Sequence, residues 1–376
     1  MKIAVIHFLP IEYYPPATNI IGYLSDRIHD SDLLYVFTTH NSKNRKVYKN
    51  PQTKIYRFKS AIKNRYRIFR LLKYLNFNIS VFFKLLFSQP DKIIYFETLS
   101  AFPPYLYIKY IRKKTAVFTH YHEYTSLYQY ARKSMAIERF FHRLEIKYLY
   151  KMAAWISHTN MERIQLFQKD YPFVNASILH EMPNYPPKSW HSFRKLNNYT
   201  PIFPIKCVYI GSLSFENTYL KEFVDWVIRQ KGNFSFDIYS YNMYPDIQQY
   251  LNNFDNPLIR LHDSGIEYND IPSTLSDYQI GIIFYKPYSE NVIHCVSNKF
   301  YEYISCGLDV WFSDIMKSTL KYVSYDHRPK IVPVDFSNLD DFNWKPVIKE
   351  APIGSFEHAF FSDSVYSVFN DAILNT

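Results

Sequence analysis

The stretch Ser297–Ser313, SNKFYEYISCGLDVWFS, carries a short helical period that runs into a strand. Ser297 offers a side-chain oxygen just before the apolar period and is predicted as the N-cap. Phe300, Tyr303 and Ile304 share one face at i, i+3 and i+4. Gly307 suits the left-handed position after a helix, and Val310–Phe312 read as the strand that follows. The element is therefore predicted as a helix of about three turns feeding a sheet. Lys299 lies in its first turn, where the helix itself presents roughly +0.5 charge and repels a cation. A bound phosphate reverses that sign, because backbone N–H groups, dipole and ammonium then converge on one anion. Glu302, three residues on, lies on the same side, and a carboxylate is suited to accept from a pair of sugar hydroxyls. On these residues alone the simpler reading is an exposed i,i+3 ion pair worth about 0.2–0.5 kcal/mol.

Outward from this stretch, apolar runs alternate with helical patterns. Strands are predicted at Ile3–Phe8, Leu33–Thr38, Ile93–Phe96, Thr115–Thr119 and Ala154–Ser157, with helices at Ile20–Ile28 and Met161–Phe167. Around Pro183 the texture changes to a Pro-, Asn- and Ser-rich segment without period, read as a linker over residues 183–203. Alternation then restarts, with strands at Lys206–Gly211, Phe234–Tyr239, Leu258–Leu261 and Ile280–Phe284 and helices at Leu220–Arg229 and Pro245–Phe254. Alternation of this kind predicts parallel sheets wrapped by helices. The boundaries are placed at 1–187 and 204–354. The helical spacing of 355–376 comes after the second domain is complete and is expected to pack back at the junction.

The stretch SNKFYEYISCGLDV resembles the donor-site segment of GT-B glycosyltransferases of the family 4-like group, through Asn298, Lys299, Phe300, Tyr301, Glu302, Tyr303, Gly307 and Leu308. Three further segments are similar to that family. CVYIGSLS (Cys207–Ser214) resembles the first strand of its second domain, with Gly211 and Ser212 as the turn that approaches a diphosphate. The loop around Ser264, Gly265 and Tyr268 resembles one that borders the nucleotide base there. SILHEMPNYPP, with Pro183, Asn184 and Pro186, resembles the interdomain passage. The resemblance implies two Rossmann-like domains facing each other across a cleft. It implies Lys299 on the donor diphosphate and Glu302 on the ribose hydroxyls, with Ser297 and Asn298 beside them. Two features depart from the pattern. His294 stands where many members carry a second glutamate, Glu290 being out of register, and LPIEYYPPATN replaces a glycine-rich first loop.

In the first domain, HYHEY (His120–Tyr124) follows a predicted strand, at the carboxyl end where α/β sheets place ligands. His122 is a candidate hydrogen-bond partner or proton acceptor, and Glu123 a carboxylate beside it. Both read equally well as loop residues with structural bonds. HxH without a third ligand at a recognisable spacing does not make a metal site. The resemblance implies a retaining reaction in which the leaving phosphate takes the acceptor proton. Lys299, the helix tip and the Gly211 turn would stabilise the departing diphosphate, and His122 would orient donor sugar or acceptor. In an inverting reaction His122 or Glu123 becomes the base.

Composition bounds these readings. The chain has 376 residues, 47% of them hydrophobic, enough for two cores. The 36 tyrosines and 31 phenylalanines are read as compositional bias rather than as ligand-stacking groups. Three cysteines, Cys207, Cys295 and Cys306, without CxxC spacing argue against a disulfide framework or a zinc site and fit a reducing cytosol. MKIAVIHFLP reads as a buried strand rather than a signal peptide, and no uncharged run reaches the ~18 residues of a spanning helix. The net charge is +10, and no acidic residue lies between Asp32 and Asp91. Within that span SAIKNRYRIFRLLKYL places Ile62, Tyr66, Phe69 and Leu72 on one face, flanked by Lys63, Arg65, Arg67 and Arg70. This reads either as an interfacial helix with snorkelling cations or as an amphipathic helix docked on its own sheet. The basic and aromatic residues form no recognisable nucleic-acid module. The expectation is a peripheral enzyme on the cytoplasmic face of the cell membrane. It would use a nucleotide-diphosphate-sugar, without metal or other cofactor, on a lipid-linked glycan acceptor in surface polysaccharide assembly. The alternatives are a sugar-nucleotide epimerase of the same architecture and a non-catalytic nucleotide-sugar binder.

Overall fold

The computed structural model describes residues 1–28, 31–40, 46–59, 67–194, 201–254, 256–354 and 360–376, with 67, 68 and 70 described by backbone alone. The chain forms two units, Met1–Asn184 with Ser362–Thr376, and Tyr185–Phe361.

The first unit is built on seven parallel strands: β1 (Lys2–His7), β2 (Leu33–Thr39), β3 (Thr53–Phe58), β4 (Lys92–Phe96), β5 (Ala116–Tyr121), β6 (Ala153–His158) and β7 (Leu179–Glu181). Their order is β3-β2-β1-β4-β5-β6-β7. The near-continuous apolar runs of β1 and β4 fit strands covered on both faces, and Ile3, Ala4, Val5 and Ile6 are buried. Helix α1 (Pro15–Ser25) starts five residues before the predicted Ile20. Pro15 and Pro16 occupy its first two positions, where a missing N–H breaks no intrahelical bond. β3 was not anticipated. It lies within the basic block, where Arg57 pairs with Glu12 at 2.8 Å, so part of that block belongs to an edge strand.

Helix α2 (Arg67–Ser88) follows, burying Phe77, Val81 and Leu85. Lys63 and Arg65 lie outside the described residues. The chain's last helix, α3 (Ser362–Asn375), completes one face of the same sheet. Its Tyr366, Phe369 and Ile373 are buried with Ile20, Leu24, Phe118 and Trp155.

The second unit has six parallel strands: β8 (Ile205–Ile210), β9 (Phe234–Tyr239), β10 (Ile259–His262), β11 (Ile280–Ile283), β12 (Asp309–Ser313) and β13 (Ile331–Val334), in the order β10-β9-β8-β11-β12-β13. In both sheets the strand order therefore reverses beside the first strand, the topology that opens a ligand crevice at the strands' carboxyl ends. Residues 188–193, expected within the linker, form a short 3-10 helix instead. Its Trp190 is 4% exposed and packs in this unit's core with Ile271 and Phe300. An indole so placed anchors the segment through apolar burial.

Candidate functional site

In the second unit the reversal falls between β8 and β11. Beside it lies helix α4 (Asn298–Ser305), laid down by the opening stretch. Two glycines decide how closely it approaches. A Cβ on Gly281 of β11 would stand 2.1 Å from the Tyr303 ring, so only a bare backbone lets that ring lie on the strand. The Tyr303 hydroxyl then accepts the Ile210 N–H at 3.2 Å, fixing the last residue of β8. Gly211 follows with φ +154°, and a Cβ there would lie 2.7 Å from Lys299 Cε. Gly307 ends the helix at φ +85°, with Leu308 N–H returning to the Tyr303 carbonyl. Ser297 holds the N-cap position, but its side chain makes no capping bond.

The structure thus brings Gly211 and Lys299 together. The Lys299 ammonium donates to the Tyr285 hydroxyl at 2.9 Å. Burial works against its charge. The Tyr285 and Tyr209 oxygens, the Tyr285 hydrogen bond and the Glu302 carboxylate outweigh that and raise its pKa. Glu302 is 9% exposed, and burial pushes its carboxyl up to about 7, opposed by Lys299. Ser212, next to Gly211, lines a 340 Å³ pocket with Leu213, Asn217, Asn242, Met243 and Tyr285, and among the described residues no charged side chain lines it. Glycine-to-alanine at 211 displaces the lysine's flexible end and strains the backbone, an expected stability loss of about 1–3 kcal/mol. Ligand affinity should fall more than stability does, as read by titration calorimetry beside thermal melts.

The other donor-site candidates lie on the loops after β10 and β11 and at the start of α4. Gly265 follows β10 at φ +66°, where a Cβ would meet the Tyr241 ring at 2.8 Å. Tyr268 packs against Trp190, ring centroids 5.0 Å apart, so at least part of its surface belongs to the core. His294 lies 3.4 Å from the Glu290 carboxylate, which one short helical turn (Glu290–Ile293) brings beside it despite the sequence register. Asn298 is the first residue of α4.

In the first unit, His122 is buried just after β5. Phe96 stacks on it at 5.4 Å, and the His120 and His7 rings lie 4.7 and 6.1 Å away. Burial, then the neighbouring His120 and His7, hold its pKa well below the ordinary value, with an Asn184 hydrogen bond opposing. It is therefore a neutral hydrogen-bonding group, not one that titrates near pH 7. Glu123 is exposed.

Sequence reasoning missed most of the surrounding cluster. Glu97 follows β4 at φ +61°, a conformation that strains any residue but glycine. It accepts the His122 backbone N–H at 2.6 Å. Burial and then Glu123 raise its carboxyl to about 8, against the backbone N–H groups of His122 and Glu123. His7, His120 and His158 are buried at the ends of β1, β5 and β6. Burial lowers them to about 4, 3 and 3, with His158 adding to the shift of His120 and Arg163 to that of His158. A signal was available, since Glu97, His120 and His158 each directly follow the end of a predicted strand. Among the described residues no group of three or more His, Cys, Asp or Glu is arranged to hold a metal ion.

No family model and no curated protein matches this chain. Solved structures do. The lipopolysaccharide outer core galactosyltransferase WaaB, in its apo form, is similar with a TM-score of 0.64 at 15% identity, over 100% of this chain and 99% of that one. A sucrose-phosphate synthase from Thermosynechococcus elongatus gives 0.67 at 12%, over 100% and 98%. A UDP-GlcNAc 2-epimerase from Neisseria meningitidis bound to UDP-GlcNAc gives 0.61 at 13%, over 100% of both chains. At these identities the likeness establishes the fold: two parallel-sheet α/β units of the GT-B class.

Proposed function

We propose that this GT-B chain is a glycosyltransferase that moves a hexosyl group, with retention, from a nucleotide-diphosphate donor to a lipid-linked glycan in surface polysaccharide assembly. One observation carries the reading: the Lys299 ammonium is held against the bare Gly211 backbone beside the strand reversal of the second sheet. A fixed cation, a helix start and a side-chain-free turn are what a leaving diphosphate needs, and no metal enters the proposed step. Glu302 takes the ribose hydroxyls, and the loop of Gly265 and Tyr268 borders the base. The uncharged lining of the 340 Å³ pocket, hydroxyls and amides beside apolar and aromatic groups, suits a neutral sugar. A neutral His122 fits an orienting role better than that of a base, which favours a reaction in which the leaving phosphate takes the acceptor proton.

A thermal-shift screen across UDP-, GDP-, ADP- and CMP-sugars tests the proposal. One diphosphate donor should raise the melting temperature, and a flat panel overturns the reading. The epimerase likeness motivates a second reading, separated by incubating that donor without acceptor. An epimerase forms a new sugar nucleotide there, and a transferase does not.

We further place the enzyme on the cytoplasmic face of an anionic membrane. Among the described residues no helix is long and apolar enough to cross one. Helix α2, however, exposes Leu72, Leu75, Ile79, Phe83 and Phe87 along one stripe while its other face is docked. Arg67 and Arg70 stand in its first turn, and Lys63 and Arg65 precede it. The apolar stripe would enter the lipid and the basic end would meet headgroups. Neutralising Arg65, Arg67 and Arg70 should weaken flotation with anionic vesicles about 100-fold, at about 1 kcal/mol per charge. Unchanged flotation would count against the membrane face.

A further inference from the structure

Lys299 is clamped as well as charged. Its Nζ lies 5.4 Å from the Tyr209 ring centroid and 5.5 Å from that of Tyr285. Tyr209 is fully buried and donates its hydroxyl proton to the Ser212 carbonyl at 2.8 Å, pinning the turn after Gly211. The four-carbon stem of a free lysine carries about 2 kcal/mol of rotamer entropy, which ligand binding would otherwise have to overcome. Here the stem is confined before any ligand arrives.

Tyr285 differs from Tyr209 in one respect. Its hydroxyl accepts from Lys299, and among the described residues nothing takes its own proton. A phenol has one proton to donate besides the lone pairs with which it accepts. Tyr285 is half-buried and also walls the 340 Å³ pocket. Accepting from an ammonium polarises the phenol and strengthens the bond it donates in turn.

We propose that Tyr285 is a second diphosphate-recognition residue. It would donate its phenolic proton to a phosphate oxygen while fixing the Lys299 ammonium on the same group. The inference rests on the donor-site reading of Lys299 and adds a residue to it. Nothing in the sequence singles this tyrosine out from the other thirty-five.

The test compares UDP with UMP, GDP with GMP, and ADP with AMP by calorimetry on the full chain and on Tyr285→Phe, which keeps the ring. In the wild type one base should show a preference for the diphosphate over the monophosphate. In Tyr285→Phe that preference should shrink about ten-fold, the worth of one charge-assisted hydrogen bond, with some fall in the ligand-free melting temperature because the Lys299 ammonium loses its phenolic acceptor. Should the variant destabilise the fold, the ratio within one protein still reports the contact. Equal weakening of mono- and diphosphate, or no weakening, overturns the role of Tyr285. A wild type that binds no nucleoside diphosphate overturns the donor site itself, and this proposal with it.

Discussion

Lys299→Ala should abolish donor-induced stabilisation while leaving the ligand-free protein folded. The ammonium is the cation bound directly to the Gly211–Tyr285 corner, and a charge-assisted hydrogen bond to phosphate contributes about 1.5–3 kcal/mol to binding. Its contribution grows as the diphosphate departs and negative charge accumulates. Removing a donor of this kind typically lowers kcat about 100- to 1000-fold. A ligand at 100 times its Kd stabilises by about 2.7 kcal/mol, so a shift that is clear in the wild type disappears when affinity falls by that factor. The same donor-induced shift in Lys299→Ala and wild type would move the anion site elsewhere in the molecule. The variant removes an apolar stem packed between two tyrosines, which makes ligand-free melting a necessary control.

The first unit should lose stability as pH falls below about 6.5, well before the second. His7, His120, His122 and His158 are all buried, and all are held below their ordinary pKa. Between pH 6.5 and about 4 the unfolded chain binds protons at these positions and the folded chain does not. The sign is therefore destabilising on acidification, at about 1.4 kcal/mol per pH unit for each histidine. Glu97 acts oppositely, because its raised pKa makes the folded state bind the extra proton between about 8 and 4.5. One carboxyl does not offset four imidazoles. In the second unit the raised Glu302 gives a stabilising trend over its own window, from about 7 down to 4.5. Hydrogen exchange read peptide by peptide at pH 7, 6 and 5 should show β1, β4, β5 and β6 losing protection while β8 to β12 keep theirs. Loss of protection in both units together, or in neither down to pH 4.5, would contradict this account.

The two predictions differ in how far their residues were legible in the sequence. Lys299, Glu302 and Gly211 are picked out by the resemblance of their segments to a known family; local rules, a cation against a helix dipole and a glycine closing a strand, only raise the question and leave an ordinary ion pair as the simpler reading. Ten of the thirteen strands among the described residues could be read too, since strand–helix alternation is a pattern of nearest neighbours; β3 and the short edge strands β7 and β13 were missed. β3 escaped because TKIYRF sets charges among its apolar residues inside a basic block, which masks an edge strand. The structure around 188–193 escaped because a Pro- and Ser-rich segment looks like linker unless one sees its tryptophan buried. The histidine cluster draws on positions 7 to 158, and only the strand order β1-β4-β5-β6 gathers them. Tyr209 and Tyr285 had no chance of notice in a chain with 36 tyrosines.

The placement of α3 has a consequence for biosynthesis. The sheet of β1 to β7 is complete once residue 184 has been made, yet the helix that covers Phe118 and Trp155 is encoded after residue 361. At about 5–20 residues per second, the ribosome needs roughly 10–35 s to reach it. For that interval the part of the apolar face that α1 does not cover, around Phe118 and Trp155, stays open to solvent. The second unit, continuous in sequence, can mature while the first still waits for its final piece.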